Sequence, residues 1–571
     1  MSGAGADTGA GTGHAADSVA GWRLGGAAFG LLLQLGCVAY AARHVSPAAL
    51  GAYAVALTAV HLLAHLAGSG IAASLRRAGP PTRPAAHAAL RLAGITGLVG
   101  FAVAQLAAPL PALLLHTADT TSLLRVLACA FLCHPAADAA LAALRGAGRP
   151  RAAVLSDAGG HAAGAATGIL LLAGGANPLG LAAMLPVSAA LTLAAAGLLL
   201  TRTPLPDGPG VQAASLIRVS WFAAGFGLLR VVAAGAPLWA VCGLLGPAAA
   251  GVYSRAAVLL EVPVTVYGRL VNRTAGGGRA AYSRLGHDLR LDMGPGRGGI
   301  GQDTSRGREP GDRPATGRHP RPGRAAGPPS RVDGPAAGPA RRVDVPTARL
   351  AVTAASAAGF AGFGAAAGAG PAALALLLGP GWESATALVP WLCAAAALQL
   401  VYSAGCSLDL ARGRRRELLG THLVVLLATA AALALFLVLP WRGSGFALPL
   451  LACAAAVGPA AGHALQLVRW SRCGLVRVRE VLRAHAVHGG IGAAAGALAT
   501  LAGSTATEPG PALLYGLLAP APVALLCAGL HERLPLSAAL SGHRPPPAPA
   551  PRPRASARTP APHGTARAPV P

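Results

Sequence analysis

The sequence predicts an all-α integral membrane protein. About fourteen transmembrane helices are expected. Three observations carry that prediction. The chain has 571 residues, 54% hydrophobic and only 12% charged, whereas soluble domains carry about a quarter charged residues. The apolar residues come in blocks of roughly 20, the length that crosses a bilayer. The arginines alternate, rich then poor, from loop to loop along the chain.

The apolar blocks are 24–42, 48–74, 92–115, 123–143, 153–174, 179–200, 218–243, 252–275, 349–378, 385–406, 418–440, 446–468, 486–503 and 512–530. Backbone groups in lipid must be bonded internally, and the blocks lack the alternation of barrel strands, so each is read as a helix. The eighth carries Arg255, Glu261, Arg269 and Arg273, which places its ends near the interface.

Four alternate loops hold the basic residues. They carry Arg76, Arg77, Arg83 and Arg91; Arg145, Arg149 and Arg151; Arg412, Arg414, Arg415 and Arg416; and Arg469, Arg472, Arg477, Arg479 and Arg483. The intervening loops hold Arg43 and Arg442. The rich loops are expected on the cytoplasmic side, with both termini there too. The first twenty residues have no basic start, so the first span is expected to act as the insertion signal.

The expected organisation follows. Residues 1–22 form a disordered N-terminus, 23–200 an N-lobe of helices one to six, and 201–217 an inter-lobe loop. Residues 218–468 form a C-lobe of helices seven to twelve, and 469–530 a cytoplasmic loop with helices thirteen and fourteen. An insert over 294–348 and a tail over 531–571 are rich in Pro and Arg. Both are expected to be disordered and cytoplasmic, since neither can bury enough apolar surface to offset ordering entropy.

The net charge of +26 rests on arginine alone, since the chain has no lysine. The arginines do not interleave with aromatics on one face, which argues against a nucleic-acid surface. The nine cysteines are scattered without a CxxC pair; Cys129 and Cys133 are read as small core residues on one helix face. No Walker loop, nucleophile elbow, zinc motif or dinucleotide fingerprint is present. A transporter is therefore expected rather than an enzyme, with no cofactor and no metal, and with a proton or sodium gradient as the energy source.

The chain repeats itself. Pro47-Ala48-Ala49-Leu50-Gly51-Ala52-Tyr53 precedes the second block, and Pro247-Ala248-Ala249-Ala250-Gly251-Val252-Tyr253 precedes the eighth. A second echo pairs Leu144-Arg145-Gly146 with Ala411-Arg412-Gly413. Repeats separated by an even number of spans run parallel, and such repeats bind substrate between the two halves of transporters.

These stretches carry a resemblance. Arg43-His44-Val45-Ser46-Pro47 with Gly51 and Tyr53, Gly68-Ser69-Gly70-Ile71 running to Arg76-Arg77, and Leu244-Leu245-Gly246-Pro247 with Gly251, Tyr253, Ser254, Arg255 and Ala256 form the first part. Tyr282-Ser283-Arg284-Leu285 with Asp288, and Leu378-Gly379 with Trp382, form the second. In order and spacing the chain resembles the bacterial polysaccharide-repeat flippases, of O-antigen and teichoic-acid type. These belong to the superfamily that also holds multidrug exporters and lipid II flippases. The resemblance implies two parallel six-helix lobes plus two C-terminal helices, and flipping of an undecaprenyl-diphosphate-linked oligosaccharide by alternating access. It implies a lipid-linked glycan as substrate, with membrane lipids and the glycosyltransferases or polymerase of the same pathway as partners. Family members often carry an acidic-basic pair late in the seventh span; here that region reads Ala236-Pro237-Leu238-Trp239.

A diphosphate crossing a membrane requires buried cations, and arginine suits bidentate phosphate contacts. Arg230, deep in the seventh block, is the first candidate; the alternative is a clamp on helix carbonyls. Arg23 lies at the entrance of the first span and Arg255 near an outer end, where Arg255 and Arg125 can simply snorkel. Gln34 and Gln105 suit sugar hydroxyls or neighbouring helices. Asp138, Asp157 and Glu261 are candidates for ion coupling. His134 with Asp138, and Asp157 with His161, share helix faces as relays or as satisfied polar pairs. His61 and His65 share a face without a third metal ligand. The alternatives in other classes are a multidrug exporter and an inactive scaffold for cell-envelope assembly. A membrane glycosyltransferase or polymerase would need a large outer loop, and every predicted outer loop is short.

Overall fold

The computed structural model describes residues 10–67, 69–77, 80–115, 117, 119–176, 178–208, 213–258, 264, 345–438 and 445–529. Every regular element among them is helical. The first half contains α1 (Ala10–His44), α2 (Pro47–Ala67), α3 (Ser69–Arg77), α4 (Arg83–Ala107) and α5 (Pro109–Leu115). It continues with α6 (Thr120–Ala128), α7 (His134–Gly146), α8 (Pro150–Ala173) and α9 (Leu179–Thr201). The second half contains α10 (Ala213–Leu245), α11 over 247–258, α12 (Val345–Ser356), α13 (Phe363–Leu378) and α14 (Glu383–Thr386). It ends with α15 (Val389–Ala411), α16 (Arg415–Val438), α17 (Ala447–Arg472), α18 (Val478–Gly503), α19 (Pro509–Leu518) and α20 (Ala521–Gly529).

Among the described residues, 11 helical stretches are long and apolar enough to cross a membrane. Two more, α1 and α8, fall on predicted blocks and have 35 and 24 residues, enough for a core about 30 Å thick. Most of the eighth block, with Glu261, lies outside the described residues, as do the tail and nearly all of the insert. The chain is a multi-pass α-helical membrane protein.

Four boundaries differ from the sequence reading. Helix α1 begins at Ala10, inside the segment expected to be disordered. A helix already nucleated in the membrane can extend outward without a second nucleation cost. Helix α12 begins at Val345, inside the expected insert, with Pro346 in its first turn, where a missing N–H costs nothing. The fourth block is broken by a 3₁₀ turn over Cys129–Leu132. Pro135 cannot donate to the Phe131 carbonyl, and a methyl group on Gly97 would strike that same carbonyl. Cys129 and Cys133 therefore do not share one continuous helix face. The ninth block contains a π-helical segment, Ala357–Gly362, between α12 and α13.

Small residues set the closest helix contacts. Gly160, Gly164 and Gly168 of α8 lie against Met184, Ser188 and Thr192 of α9. Gly364 and Gly368 of α13 lie against Gly492 and Gly496 of α18. Each set repeats every four residues, the spacing that brings backbones together in membranes.

The internal repeat meets itself. A methyl group on Gly51 would collide with the Pro247 carbonyl, and one on Gly251 with the Pro47 carbonyl. The two copies of the motif are thus reciprocal neighbours, as a two-fold relation between the halves requires. Around them lies the largest buried cluster, at the arginine-poor ends of the helices. It joins Val38 and Val45 of α1, Leu50 and Val55 of α2, and Val241 of α10 to Leu374, Leu388 and Leu451 from the second half. Arg43 Nη2 donates to the Leu376 carbonyl at 2.9 Å, and Trp382 Nε1 to the Ala42 carbonyl at 3.0 Å. Toward the arginine-rich ends the buried apolar clusters among the described residues separate, although α10 still packs on α3. One holds α3, α4, α7, α8 and α9; another holds α12, α15, α17 and α18. The two lobes are sealed together at the arginine-poor end.

Candidate functional site

Arg230 lies on α10, which packs against α2 and α3 of the first lobe and against α16 and α17 of the second. Its side chain is exposed in the protein. Its charge acts on His65 of α2 and on Tyr402 and His422 of the second lobe. One turn earlier, a methyl group on Gly227 would press against the His65 ring. Glycine there lets α10 approach α2 closely enough to hold the guanidinium between the lobes. Across from it, Tyr402 Oη and His422 Nδ1 are hydrogen-bonded at 3.0 Å.

The first lobe adds polar groups near this position. His61 interacts electrostatically with both His65 and His134. His134 Nε2 stands 4.0 Å from the Asp138 carboxylate, and both side chains are 48% exposed. Asp157 is paired with Arg145 at 3.6 Å as well as lying 3.7 Å from His161. The sequence reading found the histidine and missed the arginine, which comes from the preceding helix.

The other predicted residues are dispersed. Arg255 is buried, 6% exposed, and its charge acts on Tyr53 of the repeat. This corrects the expectation that it snorkels to the interface. The glycine crossing of α2 and α11 encloses the side chain one turn further on. Gln34 is exposed on α1. Gln105 Nε2 donates to the Arg125 carbonyl at 3.1 Å, tying α4 to α6. Arg23 lies on α1, and its side chain is outside the described residues, as is Glu261. Beside α1 and α8 opens an apolar groove of about 600 Å³, lined by Trp22, Phe29, Val154 and Leu155. The Arg151 guanidinium stacks over Trp22 at 5.2 Å. Among the described residues no group of three or more His, Cys, Asp or Glu side chains could hold a metal ion.

The sequence reading missed a second polar system, inside the C-lobe. Asp409 is fully buried; its Oδ1 accepts from Trp470 Nε1 at 2.8 Å and its Oδ2 from Arg469 Nη2 at 3.4 Å. Arg469 also donates to the Glu417 carbonyl at 2.6 Å and to the Thr421 hydroxyl. This network locks α15, α16 and α17 together. Arg469 had been counted as a loop arginine, but α17 runs on to Arg472 and carries it inward. Deeper in the lobe, Ser356, His463, Gln466, His485 and His488 form a continuous hydrogen-bonded chain across α12, α17 and α18. Its sequence signals were pairs three apart, His463 with Gln466 inside the twelfth block and His485 with His488 at the start of the thirteenth.

Comparison with known proteins agrees with this architecture. Residues 41–288 match the family model described as polysaccharide biosynthesis protein. No curated protein matches the sequence. Among solved structures, the fold is similar to that of the lipid II flippase MurJ in an inward closed conformation. That match has a TM-score of 0.56 at 9% identity and covers 90% of this chain and 98% of that one. An inward-facing multidrug resistance transporter of the MATE family, in the MOP superfamily, matches with a TM-score of 0.46 at 14% identity, covering 80% and 96%. Residues 41–288 are thus similar to a polysaccharide-biosynthesis family, and the fold over most of the chain is similar to that of the lipid II flippase.

Proposed function

We propose that the protein flips an undecaprenyl-diphosphate-linked oligosaccharide across the bacterial plasma membrane by alternating access, for cell-surface polysaccharide assembly. The observation that carries this reading is Arg230, held between two lobes that are sealed at one end. Arginine at that position offers a planar fork to a diphosphate. The polar groups around it, His61, His65, His134, Tyr402 and His422, suit sugar hydroxyls. The apolar groove beside α1 and α8 suits the polyprenyl tail. The arginine distribution supports cytoplasmic arginine-rich ends and termini, so the sealed end would face outward. Glycosyltransferases of the same pathway would supply the substrate, and a proton or sodium gradient would drive it.

The test is substitution of Arg230. Arg230→Ala is expected to abolish surface glycan while the protein still accumulates in the membrane. Arg230→Lys, which keeps charge without the fork, is expected to retain part of the export. Full export from Arg230→Ala at normal abundance would remove the anionic-substrate reading. Restored resistance to cationic drugs in an exporter-deficient strain, with no glycan phenotype, would favour a multidrug exporter instead.

A further inference from the structure

The hydrogen-bonded chain in the C-lobe has a direction, and Gln466 sets it. Gln466 Nε2 lies 3.3 Å from the Tyr402 carbonyl and 3.4 Å from Cys406 Sγ. The carbonyl only accepts, so the amide nitrogen must face it and Oε1 must face His463 Nδ1, at 3.4 Å. An amide oxygen only accepts, so His463 carries its proton on Nδ1. Its Nε2 is then the acceptor, and His485 Nε2, 3.1 Å away, must donate. Neutral His485 therefore accepts at Nδ1 from the Ser356 hydroxyl at 2.7 Å. Ser356 has given its proton in that bond, so it accepts from His488 Nδ1–H at 2.8 Å. The last atom is His488 Nε2, a bare lone pair. His488 is 0% exposed, and Nε2 has no hydrogen-bond partner among the described residues.

A buried imidazole nitrogen with no donor is costly to leave unpaired. Here it ends a row of groups that can each pass a proton on. We propose that His488, Ser356, His485 and His463 form a proton relay in the C-lobe, loading at His488 and delivering charge to His463. The step balances. A proton binds His488 Nε2, and His488 Nδ1–H passes to Ser356 Oγ. The former hydroxyl proton passes to His485 Nδ1, and His485 Nε2–H passes to His463 Nε2. One proton has entered, His463 is an imidazolium, and the other three groups are neutral with their bonds reversed. Gln466 Oε1 cannot pass a proton further, so the charge stops at His463.

The position of the relay gives it a consequence. Its members lie roughly 10–16 Å from the arginine-rich ends of their helices. Ser356 immediately precedes the π-helical segment, and Phe360 of that segment packs on His485 with ring centroids 5.1 Å apart. π segments inside helices recur at functional sites, and this one adjoins the enclosed relay. At the other end, His463 packs edge-on against Trp470 at 6.3 Å. Trp470 donates to Asp409, which Arg469 also holds. The groups facing the relay are thus Phe360 from the π segment, Tyr402, Cys406 and Asp409 from α15, and Gln466, Arg469 and Trp470 from α17. His422 and Glu417 of α16 stand behind Tyr402 and Arg469. Charge on His463 acts first on the lock that joins α15, α16 and α17. The inference holds whatever substrate the chain carries, so its failure and that of the flippase reading are separate results.

With the other six tryptophans replaced by phenylalanine, Trp470 reports on His463, because an imidazolium against an indole quenches its fluorescence. The experiment is a stopped-flow jump from about pH 8 to about pH 5 on the full chain in lipid nanodiscs. This single-tryptophan parent is expected to show a quench that His463→Gln removes. Ser356→Ala is expected to reach the parent's end amplitude roughly tenfold or more slowly, with Ser356→Thr restoring the rate. His488→Gln is expected to slow it likewise and replaces Ser356→Ala if that variant does not fold. A purely structural role would change the end amplitude or the melting temperature and leave the rate alone. A quench that survives His463→Gln, or one that proceeds at the parent's rate without Ser356 or His488, would overturn the relay.

Discussion

The two lobes share the repeat motif and glycine-mediated packing, yet among the described residues only the C-lobe encloses an ion pair. In the N-lobe, Asp138 and Asp157 have side chains 48% and 41% exposed, and their partners stand at 4.0 and 3.6 Å. In the C-lobe, Asp409 is 0% exposed and is held by both an indole and a guanidinium. Ser356, Gln466 and His488 are likewise fully enclosed. Exposed pairs are held loosely, gain little from pairing and can exchange partners as a substrate passes. Enclosed groups must be satisfied by one another, and they fix the arrangement of the helices that carry them. The N-lobe is therefore suited to presenting polar groups to the space between lobes. The C-lobe is suited to holding two discrete internal states.

The largest expected effect tests this contrast directly. Asp409→Ala removes the enclosed carboxylate from Arg469 and leaves it only that of Glu417 at 3.9 Å, and should cost about 3–5 kcal/mol. Asp138→Ala should cost less than about 1 kcal/mol, because its pair is half-exposed. Thermal unfolding of the two purified variants in one detergent measures both. Similar losses from both would mean that enclosure does not separate the lobes energetically.

A smaller effect is expected at the one place where the lobes are equivalent. Gly51→Ala and Gly251→Ala each force a methyl group onto the partner repeat's backbone, at a cost of about 1–3 kcal/mol. Gly36→Ala, which meets nothing within 4 Å, is the neutral control. The two repeat variants should shift the melting temperature by similar amounts. A large inequality would show that the reciprocal contact is not energetically symmetric.

That contact shows how far the sequence could be read. The repeated Pro, Gly and Tyr predicted two parallel halves, and the structure makes the Pro and Gly residues of the two copies neighbours. Helix existence was legible because lipid leaves no other element available to an apolar block. Breaks inside blocks were less legible. Pro135 signalled the break in the fourth block, but the π segment over Ala357–Gly362 has no such marker. Placing Arg230 by depth in the seventh block was possible; its approach to His65 was not, because it depends on Gly227 admitting another helix. The C-lobe network was hidden by block boundaries. Ending the tenth block at 406 put Asp409 in a loop, and ending the twelfth at 468 did the same to Arg469. Hydropathy trims the charged ends of helices, and those ends are where this network lies.

The smallest expected effect concerns a carboxylate that neither lobe encloses. Glu383 opens the short α14 between α13 and α15, outside the spans, beside the Trp382 that bonds to α1 across the seal. Its Oε1 accepts from the Gly381 N–H at 3.0 Å, and Gly381 has φ of +87°, a conformation that favours glycine. Hydrogen bonds from its own backbone N–H and from that of Gly381 hold its carboxyl below the ordinary value of 4.5. A depressed folded-state value means that the contribution is present above the unfolded value and is lost as pH falls through the folded one. The turn should therefore loosen only below about pH 4.5. Hydrogen exchange of residues 379–388, corrected for the intrinsic rate, is expected to rise below that pH in wild type. In Glu383→Gln, whose amide does not titrate, the corrected exchange should be the same on both sides of it. Because Glu383 is fully exposed, the change should stay local and leave the melting temperature of the bundle unaltered. A pH-dependent loss of the whole seal, with Trp382 becoming exposed to water, would show that this turn governs closure and that the enclosed groups of the C-lobe are not the principal pH-sensitive element.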